Sequence, residues 1–212
     1  MNNLIIIGGG GHAKVIAGIL KKLKTYTVKG YTDIHDRGKI LGVPYLGTDA
    51  WLIDRLDEWK DCSLVIGLGM LSLHSIRKEV IDRFTKYNFN FPVIVSPNAV
   101  VSEDTEMEKG TVVIDGAVIN PDTKIDAWGI VNTNATVDHD CTIGSHVHIA
   151  PGAVVCGGVS IGSETIIGAG AVVKQNISIC NRSVVGAGAV VVSDITEPGI
   201  YTGCPAKLME PA

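Results

Sequence analysis

The sequence has no excess of basic residues and no long apolar run. Charged residues make up 19% of the 212 residues and the net charge is −4, so no basic patch of the kind that binds nucleic acid is predicted. No apolar run approaches the roughly 18 residues that a membrane span requires. We therefore expect neither a nucleic-acid partner nor a membrane partner.

A secretory signal and a cysteine pattern are also lacking. Residues 1–4 include no basic residue, and glycines soon interrupt the apolar run that follows, so the start is predicted to be a strand and a cytoplasmic location is expected. The five cysteines are odd in number, scattered and without a C-x-x-C pair. They predict neither a disulfide framework nor a zinc site.

What the sequence does contain is an apolar residue at every sixth position from Val95 to Val191, without insertion. Every member is aliphatic except Met107. In an α-helix every sixth residue would fall on scattered faces, so this period excludes one long helix. The residues two places earlier, such as Ala135 and Cys141, are mostly small or β-branched. Both stripes predict a parallel β-helix of roughly five coils that ends near Val191.

The N-terminal part has the order of a βαβ unit. Residues 4–7 predict a buried strand, residues 8–11 a glycine turn, and the apolar spacing of residues 15–23 a helix. A second strand ends at Asp33. This order is typical of nucleotide-binding units, in which glycines let backbone N–H groups approach a phosphate at a helix N-terminus. The alternative is a tight turn without a ligand, because Ala13 stands where the dinucleotide fingerprint has glycine.

The chain is predicted to form two domains. Residues 1–92 form a small α/β, Rossmann-like domain, and residues 93–212 form the β-helix domain. A further strand before Gly67 and a helix after it complete the first domain. This is too few βα units for a full dinucleotide fold, which argues against a nicotinamide dehydrogenase.

The polar run Asp138-His139-Asp140 stands out from the repeat. It falls at the corner beyond the inward-facing Val137. A histidine beside carboxylates can be held in one tautomer with raised basicity, as general base catalysis requires. The alternative is a solvated polar corner. No cysteine or serine is placed as a nucleophile beside a base, so direct transfer is favoured over a covalent acyl-enzyme.

Four features together resemble one family: the hexapeptide repeat, G-G-G-G-H at residues 8–12, N-T-N-A-T-V-D-H-D-C at residues 132–141, and the ending G-x-P-A-K at residues 203–207. They resemble the hexapeptide-repeat acyltransferases, and within these the group of sialic-acid O-acetyltransferases and bacillosamine and perosamine N-acetyltransferases. The resemblance implies a left-handed β-helix and acetyl-CoA as co-substrate. No metal cofactor is expected.

The resemblance also implies roles for individual residues. His139 would be the general base, Asp140 would increase its basicity, and His148 would contact acetyl-CoA. Backbone positions at Ala169 and Ala187 would also touch the cofactor. The residues implied or proposed to hold the sugar nucleotide lie in the N-terminal domain: Gly10, Gly11, His12, Asp33 and Gly67. Independently of the resemblance, the glycine pair Gly157-Gly158 lies about one coil after His139. This pair is a candidate for the backbone N–H that binds the oxyanion, and Gly157 is also expected to contact acetyl-CoA.

These features predict an acetyl-CoA-dependent N-acetyltransferase that acts on a nucleotide-activated amino sugar, such as a UDP-4-amino-4,6-dideoxy sugar, in surface polysaccharide biosynthesis. The alternative within the class is a sialic-acid O-acetyltransferase that uses the same base. The alternative outside the class is a non-catalytic β-helix scaffold with a nucleotide-sensing domain.

A homotrimer with active sites between subunits is expected. A triangular prism presents flat faces, whereas a ligand needs concave walls, which prisms packed around a three-fold axis supply. Outward residues next to the inward stripe are apolar and would form an exposed patch in a monomer: Val112, Val118, Ile130, Val154, Ile166, Val172 and Val184. The family resemblance implies the same assembly.

Overall fold

The computed structural model describes residues 2–70, 72–73 and 75–211. The chain divides into two compact units. One unit comprises residues 2–69 and 75–92, and the other comprises residues 93–211 together with residues 70, 72 and 73. The strands of each unit pair within that unit, and nearly all of them are parallel.

The first unit has a four-stranded parallel sheet in the order β3-β2-β1-β4. Its strands are β1 (Asn2–Ile7), β2 (Tyr26–Thr32), β3 (Tyr45–Gly47) and β4 (Ser63–Ile66). Its helices are α1 (Gly11–Leu23), α2 (Asp49–Ile53), α3 (Leu56–Trp59) and α4 (Ile76–Phe84). The two inner strands of this order, β1 and β2, are joined through α1, so the predicted βαβ unit is confirmed.

Local sequence explains where the helices begin and end. Gly10 is the extended N-cap of α1, and at the other end Lys24 takes a left-handed conformation with φ of 55° and donates its N–H to the carbonyl of Leu20. Ser75 caps α4, because its hydroxyl accepts a hydrogen bond from the N–H of Arg77. The Gly10 cap places the N-terminus of α1 shortly after the end of β1.

The second unit is a parallel β-helix with three two-residue strands in each coil. Lys124 pairs with Thr142 and Ile125 with Ile143, so one coil takes eighteen residues. The five-stranded sheet contains β7 (Glu106–Met107), β10 (Lys124–Ile125), β13 (Thr142–Ile143), β16 (Ser160–Ile161) and β19 (Ser178–Ile179). The six-stranded sheet contains β6 (Val100–Val101), β9 (Val118–Ile119), β12 (Thr136–Val137), β15 (Val154–Val155), β18 (Val172–Val173) and β21 (Val190–Val191).

The eight-stranded sheet forms the third side of the β-helix. It contains β5 (Ile94–Val95), β8 (Val112–Val113), β11 (Ile130–Val131), β14 (His148–Ile149), β17 (Ile166–Ile167), β20 (Val184–Val185), β22 (Gly199–Thr202) and the antiparallel β23 (Lys207–Pro211). Every sixth residue from Val113 to Val191 points inward and is at most 3% exposed. The second stripe is buried beside it, as Ala135 and Cys141 illustrate.

The β-helix continues past Val191, where the sequence pattern predicted its end. Ile195 bridges to Ile179, and Ile200 and Tyr201 pair with Val184 and Val185. The spacing from Val191 to Ile195 is four residues instead of six. The last coil is therefore shortened, and this shortening hides it from a search for hexapeptides.

Part of the outward apolar stripe is covered within the single chain. Val112, Ile130 and Ile166 of the eight-stranded sheet are 0%, 1% and 6% exposed, so the expectation that a monomer leaves them in water is wrong. Val118, Val154 and Val172 lie on the six-stranded sheet and remain partly exposed. Val184 of the eight-stranded sheet is also partly exposed. The six-stranded face therefore keeps a stripe of partly exposed valines, whereas most of the outward residues named on the eight-stranded face are buried.

Candidate active site

His139 and Asp140 form a hydrogen-bonded pair at the corner between β12 and β13. The ring Nδ1 of His139 lies 2.6 Å from Oδ2 of Asp140. An ionised Asp140 accepts a hydrogen bond, so the proton resides on Nδ1 and Nε2 keeps its lone pair. The Asp140 hydrogen bond, and then the charge of Asp138, raise the pKa of His139 above its ordinary value. The corner therefore holds a basic imidazole with its Nε2 available.

Asp140 can make this contact because the corner residue is left-handed. Its φ is 58°, and the equivalent corner residues one coil before and after, Asp122 and Gly158, have φ of 58° and 68°. Asp, Asn and Gly tolerate this conformation best. The aspartate thus satisfies the turn geometry and also supplies the carboxylate.

Gly157 lies directly beside the imidazole in the next coil. A Cβ atom at this position would stand 2.7 Å from both Cε1 and Nε2 of His139, so the imidazole can keep this position only because residue 157 has no side chain. Backbone hydrogen bonds from Gly158 to the His139 carbonyl and from Asn176 to the Gly157 carbonyl fix the spacing of the coils. The Gly158 N–H is therefore occupied, and the prediction that it could bind an oxyanion is wrong. Among the described residues, none accepts a hydrogen bond from the Gly157 N–H.

An open cavity of about 470 Å³ surrounds His139. Its lining comes from three successive coils of the same corner: Asp138, His139, Asp140, Cys156, Gly157, Gly158, Gln175 and Asn176. Sequence reasoning did not assign Cys156, Gln175 or Asn176 to the site. The eighteen-residue length of a coil could have identified all three. Each lies eighteen residues after another lining residue of the cavity, in the preceding coil.

His148 lies on a different side of the β-helix from His139. It faces outward from β14 of the eight-stranded sheet and is 5% exposed. Its Nδ1 lies 2.6 Å from the carbonyl oxygen of Met70, which can only accept, so Nδ1 is the donor. Its Nε2 then accepts from the side-chain amide of Asn132, 3.0 Å away. Both ring nitrogens are engaged within the chain, and the acetyl-CoA contact of His148 stays a prediction.

Ala169 and Ala187 stack one coil apart at the corner between the eight-stranded and six-stranded sheets. Both are exposed, and the N–H of Gly188 donates to the carbonyl of Ala169. This corner and the His139 corner border opposite edges of the six-stranded face. Within one chain, the predicted cofactor positions and the predicted base therefore stand on different edges.

In the first unit, a cavity of about 270 Å³ opens at the carboxyl ends of the parallel strands, where open α/β sheets bind ligands. Its lining includes two aspartates, two arginines and an apolar side: Ile7, Gly8, Thr32, Asp33, Ile34, Arg37, Asp49, Leu68, Ile76, Val80 and Arg83. Of the five predicted sugar-nucleotide residues, Asp33 lines this cavity. Gly10, Gly11, His12 and Gly67 are not among its lining residues.

The Asp33 carboxylate is turned toward the glycine turn. It accepts hydrogen bonds from the N–H groups of Gly9 at 2.7 Å and His35 at 3.0 Å, and from Nε of Arg37 at 3.3 Å. Burial alone would raise the pKa of Asp33, but these hydrogen bonds outweigh it and the pKa is lowered. Asp33 is therefore an anion that orders the turn as well as facing the cavity.

Gly67 explains why alanine is accepted at position 13. A Cβ on Gly67 would stand 2.9 Å from the Cβ of Ala13 and 2.7 Å from Cγ2 of Ile6. In the dinucleotide fingerprint the third glycine allows close packing of helix and strand. Here the glycine after β4 supplies that space instead. Gly67 acts through packing, and its predicted substrate contact stays a prediction.

Arg77 is a residue that sequence reasoning missed. It is fully buried, and its guanidinium donates to the carbonyl oxygens of Leu68 at 2.6 Å and Ile66 at 3.4 Å. Burial lowers its pKa to about 10, so it stays charged at neutral pH. The residue fixes the loop after β4 that lines the cavity.

The chain is similar to known proteins in both of its units. A family model described as the PglD N-terminal domain matches residues 3–84, and one described as bacterial transferase hexapeptide (six repeats) matches residues 140–175. The acetyltransferase domain of PglB from Neisseria gonorrhoeae FA1090 is 34% identical, with a TM-score of 0.91, over 99% of this chain and 100% of that chain. The chain belongs to the hexapeptide-repeat acyltransferases, in the group that contains this domain.

A second relative supports the same assignment. PerB from Caulobacter crescentus, solved with CoA and GDP-perosamine, is 35% identical with a TM-score of 0.89, over 99% of this chain and 98% of that chain. The PglB domain has also been solved with acetyl coenzyme A. A comparison with curated proteins found none that matches. The predicted family is confirmed, and so is the predicted fold, a Rossmann-like domain followed in sequence by a left-handed β-helix. Membership of an acyltransferase family argues against the alternative of a non-catalytic scaffold.

Among the residues that the structure describes, no helix is long and apolar enough to cross a membrane. The same residues contain no group of three or more His, Cys, Asp or Glu side chains arranged to hold a metal ion.

Proposed function

We propose that the chain is an acetyl-CoA-dependent N-acetyltransferase of a nucleotide-activated amino sugar, such as a UDP-4-amino-4,6-dideoxy sugar, in surface polysaccharide biosynthesis. The observation that carries the proposal is the His139 corner. There an imidazole is fixed on Nδ1 by Asp140, and its Nε2 faces a cavity kept open by Gly157. The related PglB domain and PerB are acetyltransferases solved with acetyl-CoA or with CoA and a GDP-linked amino sugar.

The proposed reaction is a direct transfer. The sugar amine attacks the thioester carbonyl, and Nε2 of His139 takes the proton that the nitrogen loses. The Gly157 N–H stabilises the oxyanion of the tetrahedral intermediate. No described residue accepts a hydrogen bond from this N–H, so it is available to the substrate. Collapse of the intermediate re-forms the carbonyl and expels the CoA thiolate, which takes a proton from the His139 imidazolium. Asp140 stabilises the imidazolium while it exists.

The first unit supplies the proposed binding site for the sugar nucleotide. The cavity at its strand ends combines two carboxylates, two arginine side chains and an apolar side. Arginines suit a diphosphate, and apolar side chains such as Ile34 and Ile76 suit a base or sugar ring. The turn residues Gly10, Gly11 and His12 stay in the proposal because they form the N-terminus of α1, which favours an anion.

The proposed working form is a homotrimer. The base and the cofactor positions Ala169 and Ala187 border opposite edges of the six-stranded face, whose outward valines are only partly covered. Packing this face against a second prism would bury the valines and bring one chain's base corner toward the partner's alanine corner. The cavity around His139, which is open in one chain, would then gain a second wall.

The test mixes the protein with acetyl-CoA and a panel of UDP-, GDP- and dTDP-linked amino sugars, with a sialic acid as the hydroxyl acceptor. CoA release is followed with a thiol reagent, and mass spectrometry identifies the acetylated product. Resistance of the product to mild alkali distinguishes an amide from an ester. Intact-mass spectra during turnover check for an acetylated chain, which would point to Cys156 as a covalent carrier. Turnover on sialic acid alone would contradict the proposal.

A further inference from the structure

Beside the His139–Asp140 pair, the corner contains a second carboxylate with a different geometry. Oδ1 of Asp138 accepts two hydrogen bonds, one from the backbone N–H of His139 at 2.9 Å and one from the side-chain amide of Asn120 at 2.7 Å. Asn120 stands eighteen residues earlier, in the preceding coil. A single oxygen atom therefore connects the peptide of His139 to the coil below it.

The main chain of the same corner is also held from the preceding coil. The hydroxyl of Thr123 donates to the carbonyl of Asp138 at 2.7 Å and accepts from the N–H of Cys141 at 3.3 Å. Thr123 is fully buried, whereas the His139 side chain is 59% exposed. Because few atoms pack against so exposed a side chain, its position depends strongly on the backbone that carries it. Asp138 and Thr123 supply side-chain hydrogen bonds that hold the backbone of this corner.

We propose that Asp138, held by Asn120, is a positioning residue for the catalytic base, an inference that rests on the role proposed for His139. It fixes the peptide from which the imidazole projects, and its charge stabilises the imidazolium that forms when the base takes a proton. It touches neither the substrate nor the reacting atoms. Asp140 holds the ring, whereas Asp138 holds the peptide.

The electrostatics of the corner agree with this division. The Asn120 hydrogen bond, followed by the His139 N–H, lowers the pKa of Asp138, so Asp138 is ionised wherever the base functions. Its charge is the second contribution to the raised pKa of His139, after the Asp140 hydrogen bond. The titratable groups that line the cavity beside His139 are Asp138, Asp140 and Cys156. Of these, only the two carboxylates act on the pKa of His139.

Two substitutions separate the effect of the Asp138 charge from the effect of the Asn120 hydrogen bond that holds Asp138. Asp138→Asn keeps an oxygen that can accept from the His139 N–H and removes the charge. Asn120→Ala removes the hydrogen bond from the preceding coil and keeps the charge of Asp138. Asp126→Asn is the matched control, because Asp126 is exposed and follows its inward Ile125 as Asp138 follows Val137. Thermal unfolding verifies that all variants are folded.

The first readout is the NMR titration of the His139 ring, assigned with His139→Gln and measured without any substrate. We expect Asp138→Asn to lower the pKa of His139, and Asn120→Ala and Asp126→Asn to leave it in place. The second readout is steady-state kinetics of acetyl transfer. Asp138→Asn and Asn120→Ala should lower kcat by up to about 100-fold, as small displacements of a reacting group can, with little change in either KM.

The outcomes distinguish this proposal from the proposed function. If Asp138→Asn changes neither the His139 titration nor kcat, the positioning role is overturned even though acetyl transfer occurs. If kcat falls only together with thermal stability, Asp138 is merely structural and the proposal is overturned as well. If the titration shifts as expected but no acetyl transfer is found with any acceptor, the interaction between Asp138 and His139 stands and the proposed function fails.

Discussion

Gly157 and His139 lie in adjacent coils, and a methyl group on the glycine would come within 2.7 Å of Nε2 of the imidazole. This relationship helps to determine which nitrogen of the ring is open to the cavity. Asp140 occupies Nδ1, and the absence of a side chain at position 157 leaves Nε2 open to the cavity. The imidazole and the space beside its Nε2 thus come from consecutive coils of one corner.

Gly157→Ala is therefore expected to impair catalysis although the chain still folds. The added methyl group would push the imidazole off its position, and kcat should fall by roughly 100-fold, as is typical when a reacting group is displaced by about 1 Å. The control is Gly18→Ala in α1, where the nearest atom to an added Cβ is 3.9 Å away. Steady-state kinetics of both variants make the comparison. Equal activity of Gly157→Ala and wild type would mean that Nε2 does not face the substrate.

The pH dependence of catalysis should report the carboxylate beside the base. The general base must be neutral to take a proton, so kcat/KM falls as pH drops through the pKa of His139. Asp140 raises that pKa, so Asp140→Asn should move the acid limb to lower pH and also reduce the maximum rate, because the base is weaker. The reduction should be smaller than for His139→Ala. An unmoved acid limb would show that another group controls it.

The first unit should control affinity for the sugar nucleotide alone. Asp33→Ala removes the anion that orders the Gly9 turn, and His12→Ala alters the start of α1. Both should raise the KM for the sugar nucleotide and leave the KM for acetyl-CoA unchanged. Asp36→Ala is the control, since Asp36 lies in the same loop outside the cavity lining. Calorimetry that finds normal sugar-nucleotide binding in the variants would mean that this unit has another ligand.

The trimer is tested by mass and by mixing. Light scattering at low micromolar concentration should give three times the 22.4 kDa of the chain. His139→Ala removes the base, and Ala169→Trp blocks an exposed corner predicted to contact the cofactor. If one site takes His139 from one chain and Ala169 from its neighbour, mixed trimers of the two inactive variants should recover activity. An active monomer, or no recovery after verified subunit exchange, would contradict shared sites.

The hexapeptide period predicted the β-helix because it determines which side chains point inward. Burial of every sixth residue from Val113 to Val191 follows directly from that period. The period could not locate the last coil, because two residues are missing between Val191 and Ile195. Nor could it identify the covered outward residues Val112 and Ile130, since their covering depends on tertiary packing.

The site was predictable where chemistry is local in sequence. Asp138, His139 and Asp140 are adjacent, so their electrostatic relationship could be anticipated. Cys156 and Gln175 are far from His139 in sequence, and they line the cavity because coils of eighteen residues stack on one another. The direction of the Asp33 carboxylate toward the Gly9 N–H depends on how strand ends meet in space, which strand and helix patterns do not determine.

The most direct test of the account is CoA release by wild-type protein and by His139→Ala, with acetyl-CoA and the best nucleotide-linked amino sugar of the panel. Wild type should release one CoA for each N-acetylated sugar formed. His139→Ala should lose roughly 10²- to 10⁴-fold in kcat, the usual range for a lost general base, while its affinity for acetyl-CoA is unchanged. A variant that retains more than about half of the wild-type rate would exclude His139 as the general base.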